Sequence, residues 1–294
     1  MIGWAVMKRC MYLLMSVILM IVNHLVSGKD TNINLLPTSN DKKWFFLKKE
    51  DMATDNHNTS HAKIFGKYIF GYNFHILQGI DKAQSHAMDG GGYFIGIHAI
   101  PEESPIGYDL LLFGKKLLNH PRTSSYCSGA TYTAFIEGLN LIYADGAFNI
   151  SDKLYEAMRM QETNDARRED NIKYWGYWNA SGFGSEMALV QYSHMGVDIK
   201  PQNARPGDFM NISWRKGGGH SVIFLGWYKD NRGGKYVKFW SSQLATNGMG
   251  DRMILLDKIQ QVKIVRLTKP DNLFFLRVQQ SVNPFIAGDN VHFD

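Results

Sequence analysis

Hydrophobic and polar positions divide this chain into helix-like segments followed by strand-like ones. Ala130, Ala134, Ile136, Leu139, Ile142 and Tyr143 recur at the spacing of one helix face, which predicts a helix over Ala130–Ala144. Ser124-Ser125-Tyr126-Cys127-Ser128-Gly129 runs directly into it, and serine is a favoured N-cap, so Cys127 is expected in the first helical turn. A more polar helix is expected over Ser151–Asp170 and an amphipathic one over Ser185–Met195. The Pro-Gly pair of Arg205-Pro206-Gly207-Asp208 marks a turn, after which Phe209–Trp214, Ser221–Gly226, Tyr236–Ser241, Lys263–Leu267 and Leu273–Val278 read as strands. Helices first and an antiparallel sheet afterwards predict an α+β fold.

The first hundred residues carry a weaker pattern. Lys67–Phe70 and Tyr93–Ile97 read as short strands either side of the Asp89-Gly90-Gly91-Gly92 turn, and Tyr108–Leu118 as a short helix or buried strand. Lys29 to Asn58 is polar, a loosely ordered lead-in broken by Trp44-Phe45-Phe46-Leu47. At the extreme N-terminus Lys8 and Arg9 precede an apolar stretch from Met11 to Val22, with Ser27 and Gly28 behind it, which is the anatomy of a signal peptide. That stretch is short of the roughly 20 apolar residues of a membrane span. The expected organisation is therefore a signal peptide over 1–28, a lead-in and β-rich extension over 29–100, and a catalytic domain over 101–294, in a secreted or periplasmic protein that meets the membrane only transiently through its signal.

Composition narrows the function. The 294 residues are 45% hydrophobic and 20% charged, ordinary values for a folded domain of this length. A net charge of +5 gives a mild attraction to polyanions, but the basic residues are scattered without interleaved aromatics, so no nucleic-acid partner is expected. Cys10 precedes the apolar run and would leave with the signal, so Cys127 is the lone cysteine of the exported chain, in a compartment where cysteines usually pair. An inert buried thiol is the plain reading of such a residue.

Its setting argues for chemistry. A thiol becomes a nucleophile as thiolate, favoured at a helix N-terminus beside a histidine that can carry the proton. His220 is the candidate base: Gly217-Gly218-Gly219 before it leaves backbone room, and the strand after it would fix the ring. His57 and His61, four apart in Asp55–His61, read as solvated loop residues and not as a metal pair. Trp175, Tyr177 and Trp178 suit either an aromatic wall for sugar rings or core packing.

Tyr126-Cys127-Ser128-Gly129 opening a helix, Pro206-Gly207-Asp208-Phe209 before a strand, and His220-Ser221-Val222-Ile223-Phe224-Leu225-Gly226 together resemble the signature blocks of the NlpC-type and CHAP-type cell-wall peptidases and amidases, in the same order. The resemblance spans Ser124 to Ser242. It implies a papain-like fold, hydrolysis of peptide or amide bonds in peptidoglycan stem peptides through an acyl-enzyme on Cys127, and no metal or organic cofactor. Two departures stand out. Such enzymes commonly place a second histidine on the strand after the base, where this chain has Phe239-Trp240-Ser241-Ser242-Gln243; Ser242 is the first choice for that role, with Ser241, Gln243 and Asn247 as alternatives. Many also carry an oxyanion tyrosine about a dozen residues before the cysteine, a position that falls near Lys115. A catalytically inactive wall-binding or interaction protein on the same fold is the alternative reading.

Overall fold

A computed structural model describes residues 44–52, 55–93, 108–117, 126–146, 150–159, 173–276 and 281–293. The coarse class agrees with the expectation: helices pack on an antiparallel sheet, an α+β arrangement. The helices are α1 (Lys49–Met52), α2 (His61–Phe65), α3 (Asn73–Ser85), α4 (Cys127–Ile142), α5 (Asp152–Met158), α6 (Tyr174–Trp178) and α7 (Gly184–Glu186), the last running into a π-helical turn over Met187–Tyr192. A two-residue hairpin joins β1 (Leu111–Leu112) to β2 (Lys115–Lys116). The main sheet is built from β3 (Gly196–Ile199), β4 (Phe209–Trp214), β5 (Gly219–Lys229), β6 (Lys235–Gln243), β7 (Gly248–Leu255) and β8 (Ile259–Leu267), in the spatial order β3-β8-β4-β5-β6-β7.

The two faces of that sheet bury different cores. Alternation along β5 sends Ile223 and Leu225 toward α3 and α4, where they meet Ile76, Ile80, Ala130, Ala134 and Phe135. Val222 and Phe224 point the other way, into a cluster with Ile212, Trp227, Phe239 and Phe293. Each such fully buried aliphatic or aromatic side chain contributes roughly 1.5–3 kcal/mol relative to exposure. The lead-in, which is docked and ordered here, serves both clusters, Leu47 the first and Trp44 the second: Leu47 N–H donates to the Trp227 carbonyl at 2.8 Å, and the Trp44 ring meets Trp227 edge-on at 5.8 Å. Gly226 makes room for it, since a Cβ there would lie 2.5 Å from the Leu47 side chain.

Several expected elements differ. The segment after Ala62 is helical where strands were expected, with a 3₁₀ turn over Gly66–Tyr68 and the 13-residue α3 behind it. Of the second expected strand only Tyr93 is described; the rest, like the whole signal segment, lies outside the described residues. The polar helix is limited to α5 among the described residues, because 160–172 also lie outside them. Leu273 belongs to a 3₁₀ segment, Pro270–Phe275, and not to a strand. Among the described residues no helix is long and apolar enough to cross a membrane.

Two buried polar clusters tie the layers. Asp208 of the Pro-Gly-Asp turn receives Arg266 through two contacts of 2.7 Å and the Asn73 amide at 2.8 Å, so the turn anchors α3 to β8. His61, expected in solvent, is fully buried between Asp81 at 2.7 Å and Asp251 at 2.8 Å, and Lys238 lies 3.2 Å from Asp251. Burial alone would depress this imidazole, but Asp251 and then Asp81 outweigh it and lift its pKa to about 9, leaving it cationic at neutral pH.

Candidate active site

Cys127 is the first residue of α4. The cap is Tyr126, in extended conformation and without a side-chain cap bond, where serine was expected. The first turn is fixed instead from outside: the Ser128 hydroxyl donates to Asn179 Oδ1 at 2.5 Å, Trp178 Nε1–H donates to the Ser128 carbonyl at 3.2 Å, and Thr131 shares a 2.9 Å hydrogen bond with Ser221 of β5. Trp178 and Trp175 are 1% exposed, packed on Tyr132 and Phe135, so the aromatic segment serves the core beneath the cysteine and not a sugar-binding wall. The thiol is free. Burial pushes its pKa up, opposed by the backbone N–H groups of Ser221, Ser128 and Cys127 itself. It therefore rests protonated at neutral pH, with the first-turn amides ready to favour negative charge.

His220 is the second residue of β5. Its ring stacks near Trp214, with centroids 6.0 Å apart, and meets Phe239 edge-on at 5.6 Å. Nε2 lies 3.2 Å from Gln243 Oε1. Gln243 donates its own amide to Thr246 Oγ1 at 2.5 Å and to the Gly250 carbonyl at 3.1 Å, so its oxygen is the acceptor and His220 must carry its proton on Nε2. The lone pair is left on Nδ1, the tautomer a base acting through Nδ1 requires. Burial lowers this imidazole to about 4; Gln243 acts in the opposite direction, and Arg252 adds to the depression.

Register explains why Gln243 and not Ser242 holds the ring. Continued from Ile223↔Trp240, the β5–β6 pairing sets His220 opposite Gln243 and Ser221 opposite Ser242. Ser242 is fully buried on the α4 side of the sheet by strand alternation, Ser241 donates to the Ser221 carbonyl at 2.6 Å, and Asn247 is a left-handed turn residue with φ 50°. Among the alternatives weighed from the sequence, the side chain that meets the base is Gln243.

The geometry brings the pair close along β5 without joining it. Ser221 faces α4, and the thiol lies in reach of the Ser221 N–H, one residue from His220. The His220 side chain leaves on the opposite side of the strand, toward Phe239, from a position that precedes the first paired residues of β5 and β6, Ile223 and Trp240. Among the described residues the Cys127 thiol and the His220 ring are not hydrogen-bonded to each other. At rest the thiol and the imidazole are both neutral and lie on opposite sides of β5.

Tyr93 is the residue the sequence did not point to. Gly92 N–H donates to the Asn247 carbonyl at 2.7 Å and Gly91 bridges Gly248, which carries Tyr93 into the cleft beside His220. Burial raises its phenol pKa, and the charge of a Cys127 thiolate raises it further, so the two groups are in electrostatic reach. Lys115 is elsewhere, paired with Asp152 at 2.9 Å. The cleft, of about 380 Å³, is lined by Tyr93, Trp214, His220, Gln243, Arg252 and Lys258. Among the described residues no group of three or more His, Cys, Asp or Glu is placed to hold a metal ion. No family model, curated protein or solved structure matches this chain.

Proposed function

We propose that this chain is a papain-like cysteine hydrolase that cleaves a peptide or amide bond, in the stem peptides of peptidoglycan, through an acyl-enzyme on Cys127. The observation that supports the reading is the placement of a lone thiol at a helix N-terminus in reach of the Ser221 N–H, one residue from His220, whose Nε2 is engaged by Gln243 so that Nδ1 keeps its lone pair. Because the thiol is held up and the imidazole held down, a preformed ion pair is disfavoured, and proton transfer accompanies attack. With the His220 ring turned to the Cys127 side of β5, its Nδ1 takes the thiol proton as Sγ bonds to the carbonyl carbon, and the C=O electron pair moves to oxygen. The N–H groups of Cys127 and Ser128 and the Tyr93 hydroxyl are the donors for that oxyanion. The tetrahedral species collapses, the C–N bond breaks, and the imidazolium gives its proton to the leaving amine. Water then attacks the thioester, His220 takes its proton, and the thiolate leaves and is reprotonated. Export through residues 1–28 belongs to the same proposal.

Incubation of the full chain with peptidoglycan fragments tests it. New amine termini and a thioester adduct on Cys127 are expected, both absent in Cys127→Ala. Intact fragments with a Cys127 that iodoacetamide labels freely would overturn it. The second reading, a binding protein on the same fold, is favoured by the missing thiol–imidazole hydrogen bond. It predicts fragment binding that is equal in Cys127→Ala and the parent, with no turnover.

A further inference from the structure

We propose that the cleft beside His220 selects molecules bearing a carboxylate, held by Arg252 and Lys258, with the planar portion of the molecule against Trp214. Calling that molecule a substrate rests on the hydrolase reading; the binding itself does not. Two cationic side chains and no carboxylate line the cleft among the described residues. The buried bases among the described residues are each matched to an acid: Lys238 to Asp251, Lys263 to Asp198, Arg266 to Asp208. Arg252 and Lys258 form no ion pair or side-chain hydrogen bond with any described residue, and they project from β7 and from the turn after it into the same opening. A guanidinium offers a carboxylate two parallel donors, and an ammonium nearby supplies a second positive charge. The Trp214 ring, already parallel within 29° to His220, extends a flat wall from the base toward those cations. Leu244, 78% exposed at the rim, offers an apolar contact.

The arrangement couples recognition to chemistry. Arg252 is the one charged group that weakens His220 as a base. A carboxylate seated on Arg252 offsets that charge, so a matching molecule strengthens the base it needs and a neutral one does not. Discrimination then acts on both binding and turnover.

The test is binding, so that it stands apart from catalysis. The full-length Cys127→Ala chain, with histidine rings labelled for NMR, is titrated with N-acetylglutamate α-amide and with its neutral isostere N-acetylglutamine α-amide. The glutamate compound is expected to shift the His220 resonances and to bind about tenfold more tightly, less so at high salt, where exposed charges are screened. In Arg252→Gln/Lys258→Gln the two compounds should bind about equally; both positions are exposed, and an unchanged melting temperature confirms folding. Equal affinities in the parent, an advantage that survives the double substitution, or no effect on His220 up to the solubility limit would overturn the proposal. Thioester trapping on Cys127 in the native chain is scored separately. Its failure removes the hydrolase reading and leaves the carboxylate site, whereas loss of the glutamate preference with trapping intact does the reverse.

Discussion

His61 is fully buried and His220 half-buried at a cleft, and their neighbours drive them in opposite directions. His61 has a carboxylate on each ring nitrogen and is held as a cation, up at about 9. His220 has an amide oxygen on Nε2, two aromatic rings beside it and Arg252 nearby, and is held neutral, down at about 4. Loss of water around the ring disfavours the cation at both sites, so the difference lies in whether the partner brings a charge that outweighs it. The first environment makes a staple joining α2, α3 and β7. The second keeps an imidazole with a free lone pair, which is what a general base requires.

The largest effect comes from breaking the staple. Asp251→Ala leaves buried Lys238 without its carboxylate and His61 with Asp81 alone, for an expected loss of about 3 kcal/mol in urea unfolding. Solution pH probes both histidines at once. His61 is raised, so its stabilisation is complete below its ordinary value of 6.5 and is lost as pH climbs through about 9. His220 is depressed, so its contribution is present above 6.5 and is lost as pH falls through about 4. Unfolding free energy measured from pH 4 to 9 should peak near 6.5 and fall on both sides, with the alkaline fall, on the order of 2 kcal/mol, abolished in His61→Gln. The smallest and sharpest change is Gln243→Glu, which gives His220 the kind of partner His61 has. Its NMR midpoint should rise above about 4 toward 6.5 or beyond, and turnover should fall about 10-fold to 100-fold. A midpoint that stays put would mean that burial, not the partner, sets His220.

What was legible in the sequence follows from what was local. The helix behind Cys127 and the β4–β5 hairpin through Gly217-Gly218-Gly219 were written in short-range periodicity and turn residues, and they place the two candidate groups. α3 was missed although Ile76, Leu77, Ile80 and Ala83 keep helical spacing, because Gly79 in its middle is a poor helix residue. The packing explains that glycine: a Cβ there would lie 2.4 Å from the Ala134 carbonyl of α4, so the two helices cross almost in contact. His61 gave no local signal because its acids come from 20 and 190 residues away. The third site residue depended on register, which alternation alone leaves undetermined by one position; that single step separates Ser242 from Gln243.

The two cores also draw on different stretches of the chain. The α4 side of the sheet takes its buried members from between Leu47 and Leu273. The opposite layer needs Trp44 and Phe45 from near the start and Phe293 from the far end on Trp227. His220 depends on neither of them: its ring neighbours Trp214, Phe239 and Gln243 belong to the strands around it, so trimming either end would loosen Trp227 before it disturbed the imidazole.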